Sequence, residues 1–317
     1  MRTTTHGIAV IELAEIGSTN AEAMRLGLGG AEAPLWVRAG LQVAGRGRSG
    51  RAWASEPGNL YASLLVRLDC APAVIHQLSF VAAVAAVSAI RRVAGRATKF
   101  HPHQPPTPNP SPRRVEDSPS ARREGESHRV YGDISAASAG RTPSPLGGGG
   151  ALADARGGAT LSGLRLKWPN DILIGNAKLV GILPESTIEG PRSIVVVIGC
   201  GINLAQAPDS LGRETTCLRA QGVEVTPPDM LDVLAQEMSN ALAVWDLGAG
   251  FMAIRARWLA DAGPIGAAMT VHTGRDIISG AFAGLGDDGA LILRDQTGYD
   301  HRMTFGDVTV NAAPDDA

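Results

Sequence analysis

Short apolar runs separated by polar turn residues organise most of this chain, and a few longer apolar stretches have helical length. Ile8–Leu13 predicts a strand, and Ser18-Thr19-Asn20 then supplies helix-capping residue types ahead of a helix through Ala21–Leu26. Trp36–Val43 and Asn59–Leu68 predict two more strands, followed by a long helix over Ile75–Val93. From Leu164 onward, LRLKWPNDILI, AKLVGILPES and SIVVVIGCGINL form three β-rich runs broken by turn residues. Amphipathic helices are predicted over Pro228–Val244 and Phe251–Ala260. After Gly263-Pro264, short strands with Gly-Asp turns predict a small antiparallel barrel.

Between residues 100 and 160 the apolar periodicity disappears, and nine of the chain's 20 prolines lie between Pro102 and Pro145. Such a composition cannot bury enough apolar surface to offset the entropy of ordering, so the segment is expected to be a disordered insertion. It reads as a tolerated surface loop in preference to a proline-rich docking arm.

Composition narrows the picture. With 317 residues and 44% hydrophobic side chains, the chain can build a full core and divides into two domains, expected over residues 1–262 and 263–317. A net charge of −2 gives no global basic field for nucleic acid. Cys70, Cys200 and Cys217 form neither a disulfide framework nor a zinc pattern, which suits a reducing cytoplasm. The N-terminus lacks the regions of a signal peptide, and the most apolar run, Phe80–Ile90, falls short of the roughly 20 residues that span a bilayer. A cytoplasmic protein without membrane attachment is expected.

Candidate chemistry begins between Leu41 and Arg51, where LQVAGRGRSGR threads Arg46, Arg48 and Arg51 between Gly45, Gly47 and Gly50. Glycines permit tight bends and close ligand approach, and arginines supply forked charges for phosphate or carboxylate. The glycines also match the dinucleotide fingerprint G-x-G-x-x-G, but that motif must open a helix, and Pro57-Gly58 follow within a few residues. A solvated charged hairpin and an RNA-binding loop are the remaining alternatives for this stretch alone. Lys167-Trp168-Pro169-Asn170-Asp171 places a lysine at a strand end, because Pro169 forces an extended residue before it. Asn170 and Asp171 can then present polar groups to a nucleotide or its magnesium ion. Gly181 and Gly201 mark two neighbouring strands, as a flat pocket floor or simple sheet packing would require.

Ser18-Thr19-Asn20, Gln42, the loop Gly45–Arg51, Lys167–Asp171, Lys178-Leu-Val-Gly-Ile-Leu183 and Gly201-Ile-Asn203 occur in the order and approximate spacing of biotin–protein ligases, also called biotin–[acetyl-CoA-carboxylase] ligases. The chain resembles this family over almost everything except residues 100–160. The resemblance implies an α+β fold: a catalytic domain like the class II aminoacyl-tRNA synthetase core, followed by a C-terminal SH3-like β-barrel. It implies activation of biotin by ATP, with Mg2+, to biotinyl-5′-AMP, then transfer to a lysine of the biotin carboxyl carrier protein. By the same resemblance, Lys167, Arg48 and Arg51 are catalytic. Ser18, Thr19, Asn20, Gln42, Arg46, Gly47, Arg48, Lys167 and Gly181 bind biotin. Arg48, Arg51, Trp53, Asn170, Asp171 and Asn203 bind ATP. Trp53 is an adenine platform or lid residue, or else a hydrophobic anchor for the loop. The glycine loop is expected to close over the ligand. No metal site of dedicated type is expected, and a homodimer is compatible with the resemblance. Only 17 residues precede Ser18, so the DNA-binding domain of some relatives, and DNA binding with it, is not expected. Lipoate–protein ligase or octanoyltransferase is the nearest rival.

Overall fold

Val195, Val196, Val197 and Ile198 are all fully buried, because the strand that carries them is covered on both faces. In a computed structural model of the chain, which describes residues 2–97, 161–190, 193–208 and 213–310, this strand lies near the middle of an eight-stranded sheet. The strands are β1 (Arg2–Thr3), β2 (Ala9–Ile16), β3 (Leu35–Gln42), β4 (Leu60–Leu68), β5 (Leu164–Lys167), β6 (Asp171–Ile174), β7 (Ala177–Gly190) and β8 (Ser193–Ile202). Their order is β1-β2-β3-β4-β8-β7-β6-β5, with β2 and β3 parallel and the other pairs antiparallel.

Alternation along the strands assigns the two faces. Leu65, Val195 and Val197 pack with Ala23 of α1 (Thr19–Leu28). Leu64, Val66, Val196 and Ile198 instead join the larger core with α2 (Leu78–Ala97), α3 (Pro227–Trp245) and α4 (Phe251–Ala260). Helix α1 starts where its cap residue requires: the Ser18 hydroxyl accepts from the Ala21 N–H at 3.4 Å. Helix α3 has Thr226 capping Asp229 at 3.3 Å and Pro227-Pro228 in its first turn.

The span Pro72–Arg96 is longer and more continuously apolar than Phe80–Ile90 suggested, and by length and composition alone it could cross a membrane. Most of it is buried in the core, which accounts for its composition.

The C-terminal strands, β9 (Ala268–His272), β10 (Ile277–Leu285), β11 (Leu291–Arg294), β12 (Asp300–Met303) and β13 (Asp307–Val310), form a second, antiparallel sheet. Its order is β12-β11-β10-β9-β13, so among the described residues the pairing is open between β12 and β13 and no closed ring forms. This sheet is bonded to the rest of the molecule by named contacts. The Trp168 indole N–H donates to the Gly289 carbonyl at 3.1 Å, and Arg255 donates to Leu285 O at 3.0 Å. The expectation for residues 100–160 lies outside the described residues.

Candidate functional site

Five separate stretches converge on one cavity of about 450 Å³: the start of α1, the Arg/Gly loop after β3, the β5–β6 hairpin, the facing ends of β7 and β8, and β13 of the C-terminal sheet. That size suits a small-molecule ligand. Six cationic side chains line it against two carboxylates, Asp171 and Asp307. Its electrostatics therefore favour an anionic ligand.

At the α1 end the polar groups form a continuous chain. Gln42 Oε1 accepts from the Thr19 backbone N–H at 2.9 Å and from the Thr19 hydroxyl at 3.0 Å. The fully buried Ser63 hydroxyl lies 2.8 Å from Thr19 Oγ1 and 2.6 Å from Asn20 Oδ1. Asn20 spends its amide N–H groups on Leu183 O at 3.0 Å and Glu185 Oε2 at 2.7 Å. Two hydroxyl protons thus serve three oxygen–oxygen contacts. The cluster is rich in acceptors, and it favours a ligand that brings N–H donors.

The cations fall into three environments. Arg46 stands 3.7 Å from Glu185, Arg48 donates to Gly306 O at 3.3 Å, and Arg51 pairs with Asp307 at 2.6 Å. Burial lowers the pKa of the Arg48 guanidinium, opposed by Asp307 and Asp171. Lys178 is buried and ion-paired with Asp171, whose other oxygen is 3.8 Å from Arg213. Burial brings the Lys178 pKa down to about 8 despite that carboxylate. Lys167, at the end of β5, is half-buried and has no ion-pair partner among the described residues. Burial lowers its pKa as well, with Asp171 pulling the other way. An unpaired, partly desolvated ammonium in a cavity attracts a carboxylate or phosphate more strongly than one in water. Asn170 is buried, and its side-chain amide donates to Ile182 O.

Trp53 lies on the glycine floor. A Cβ at Gly201 would come 2.7 Å from Trp53 Cζ2, and one at Gly181 would overlap the same ring. The paired glycines Gly181 and Gly201 thus leave a flat bed wide enough for an indole. The Lys178 ammonium stands 5.3 Å from the ring centroid, a cation–π separation. The Trp53 indole N–H is buried without a partner among the described residues, and so is Asn203 Oδ1. Asn203 donates to Thr216 O at 3.0 Å, and it lines a small adjoining space with Trp53 and Lys178.

Ser18, Thr19, Asn20, Gln42, Arg46, Gly47, Arg48, Arg51, Trp53, Lys167, Asn170, Asp171 and Gly181 all line the main cavity. Asn203 is set apart, behind Trp53. Sequence reasoning missed Ser63, Glu185, Lys178, Arg213 and Asp307. Lys178 and Glu185 lie in or beside a run already singled out for its glycine. Ser63 signals itself only as a small hydroxyl residue among the apolar positions of its strand, and Arg213 and Asp307 carry no local signal. Cys200 also borders the cavity, and burial pushes its thiol up to about 12, away from the thiolate form.

Residues 14–122 and 142–203 match the biotin/lipoate A/B protein ligase family. The biotin–[acetyl-CoA-carboxylase] ligase of Paracoccus denitrificans is 34% identical over 294 residues, covering 90% of this chain and 94% of that one. The bifunctional ligase/repressor BirA of Bacillus subtilis is 27% identical over 89% of this chain and 68% of its own. In fold, the biotin protein ligase from Aquifex aeolicus, solved in complex with biotin and ATP, superposes with a TM-score of 0.60 at 18% identity, covering 96% of this chain and 99% of that one. On the sequence match, with a fold to agree, this chain belongs to the biotin/lipoate A/B protein ligase family.

Proposed function

We propose that the protein is a biotin–protein ligase: it activates biotin with ATP to biotinyl-5′-AMP and transfers biotin to a specific lysine of the biotin carboxyl carrier protein of biotin-dependent carboxylases. The observation that carries this reading is the joining, in one cavity also lined by arginines, of an acceptor-rich cluster and a lysine with no ion-pair partner among the described residues. A ureido ring brings N–H donors to the first, and a carboxylate meeting a triphosphate needs the second.

In the first step a biotin carboxylate oxygen attacks the α-phosphorus, a C–O–P linkage forms, and pyrophosphate leaves with the electron pair of the broken P–O bond. Lys167 holds the carboxylate and then the adenylate, while Arg48 and Arg51 offset charge developing at phosphorus. In the second step the carrier lysine's amine attacks the acyl carbon, and AMP leaves. Thr19, Asn20, Gln42 and the cap residue Ser18 line the biotin end, with Arg46, Gly47 and Gly181 around it. Asn170 and Asp171 stand towards the nucleotide. Mg2+ enters with ATP as part of the substrate, and Asp171 supports the site by holding Lys178 and Arg213. Trp53, which lines the main cavity, offers a face to adenine, while Asn203 sits behind it in a space too small for the base.

We assign the finer architecture in the same terms: a class II synthetase-like catalytic domain to residue 262 and an SH3-like domain over 263–317. Three free cysteines support a reducing, cytoplasmic location. Biotin-dependent exchange of labelled pyrophosphate into ATP tests the activation step. Exchange with biotin and none with lipoate is expected; exchange supported by lipoate alone would transfer the reading to the lipoate branch of the family.

A further inference from the structure

The carboxylate of Glu185, on β7 four residues beyond Gly181, reaches two elements that are separate in sequence. Its Oε2 accepts from Asn20 Nδ2 at 2.7 Å, and its Oε1 lies 3.7 Å from Arg46 Nη2. Asn20 is buried in the first turn of α1, whereas Arg46 belongs to the Arg/Gly loop.

The first contact sets a polarity. A side-chain amide can point either way, but a carboxylate only accepts, so Glu185 and the Leu183 carbonyl oblige Asn20 to turn its NH2 group towards them. Asn20 Oδ1 then faces Ser63, and a Cβ at Gly199 would overlap it, which leaves the amide little room to adapt. Ser63 in turn meets Thr19, and Thr19 meets Gln42. The carboxylate and the Leu183 carbonyl together fix the end of the chain at which Asn20 Oδ1 accepts, and the Thr19 backbone N–H fixes the Gln42 end. The second contact holds the first arginine of the loop beside the same cluster.

We propose that Glu185 is a positioning residue for biotin, orienting the Asn20 amide and tethering Arg46 so that the biotin end and the loop are assembled together. This rests on the biotin-ligase reading of the cavity. Glu185 touches neither substrate in that reading and acts through Asn20 and Arg46.

The test is steady-state pyrophosphate exchange by the full chain with Glu185→Gln, Arg46→Met and the double variant, each with a melting temperature. Glutamine has the same shape but no charge, so it weakens the hold on Arg46 and leaves the Leu183 carbonyl alone to orient Asn20. Loss of a part-exposed ion pair with such a contact should raise the biotin KM of Glu185→Gln about two- to fivefold, leaving the ATP KM and melting temperature near wild type. The increase should shrink when Arg46 is already methionine, because the two changes remove one interaction. A biotin KM equal to wild type, equal rises in both KM values, or effects that simply multiply in the double variant would each overturn the proposal. Failure of the wild type to exchange pyrophosphate would instead refute the biotin-ligase reading.

Discussion

Lys167 and Lys178 enter the same cavity and do different things there. Lys167 has no ion-pair partner among the described residues, whereas Lys178 shares its charge with Asp171 and faces the Trp53 ring. Replacing Lys167 by alanine should slow biotinyl-adenylate formation about 10- to 100-fold, the range for a lost hydrogen bond to a charged group. Adenylate formation measured in a single turnover checks it. The Lys178 pKa, about 8 when folded against 10.5 ordinarily, makes a pH prediction of opposite sign for stability and function. Between those values the unfolded chain binds more protons, so the contribution of Lys178 to stability rises with pH across the window. The ammonium that pairs with Asp171 is meanwhile lost above about pH 8. The ATP KM should therefore climb there in the wild type and stay flat in Lys178→Met; equally flat profiles would contradict this. Lys167 was legible in the sequence because Pro169 ends its strand. Lys178 was not, because its partner depends on a register shift. Ile172 pairs with Val180 but Leu173 pairs with Lys178, so Leu179 is an extra residue. The bulge turns Lys178 to the face that carries Asp171 and Gly181, a change of phase that the local pattern does not announce.

At the scale of elements, the Arg/Gly loop is shaped by what lies beneath it. The loop closes on itself through an Arg46–Ala52 bridge and a short 3-10 turn over Arg48–Gly50, then delivers Trp53 to the glycine bed. Its glycines resembled a dinucleotide fingerprint, yet no α-helix follows, and the chain runs into β4. Strand and helix positions were legible because burial on both faces of β8 and on the core face of α3 leaves plain apolar runs. The glycine floor was legible as a floor, but the sequence did not say that Trp53 would occupy it. Gly201→Ala should displace the ring, lowering stability by about 1–3 kcal/mol as overpacking does. Thermal unfolding checks the first effect, and a raised ATP KM with little change for biotin is the expected second.

In the whole molecule, the C-terminal sheet belongs to the site. Asp307, Val308 and Thr309 line the cavity, Arg51 pairs with Asp307, and Gly289 receives the indole N–H of Trp168 from the Lys167 hairpin. Two sheets were legible in the strand spacing; the Arg51–Asp307 and Trp168–Gly289 contacts were not, because each joins residues more than 100 positions apart. Trp168→Phe leaves the buried Gly289 carbonyl without that donor and should cost about 1–3 kcal/mol in denaturant unfolding. Asp307→Asn, at a half-exposed pair, should change stability by less than about 1 kcal/mol. The most direct test of the account is incubation with biotin, Mg-ATP and a biotin carboxyl carrier domain, read by the mass of the carrier. Wild type should add one biotin to a single lysine, and Lys167→Ala should do so far more slowly. No addition by the wild type would contradict the biotin-ligase account, and equal rates in the two proteins would remove Lys167 from its centre.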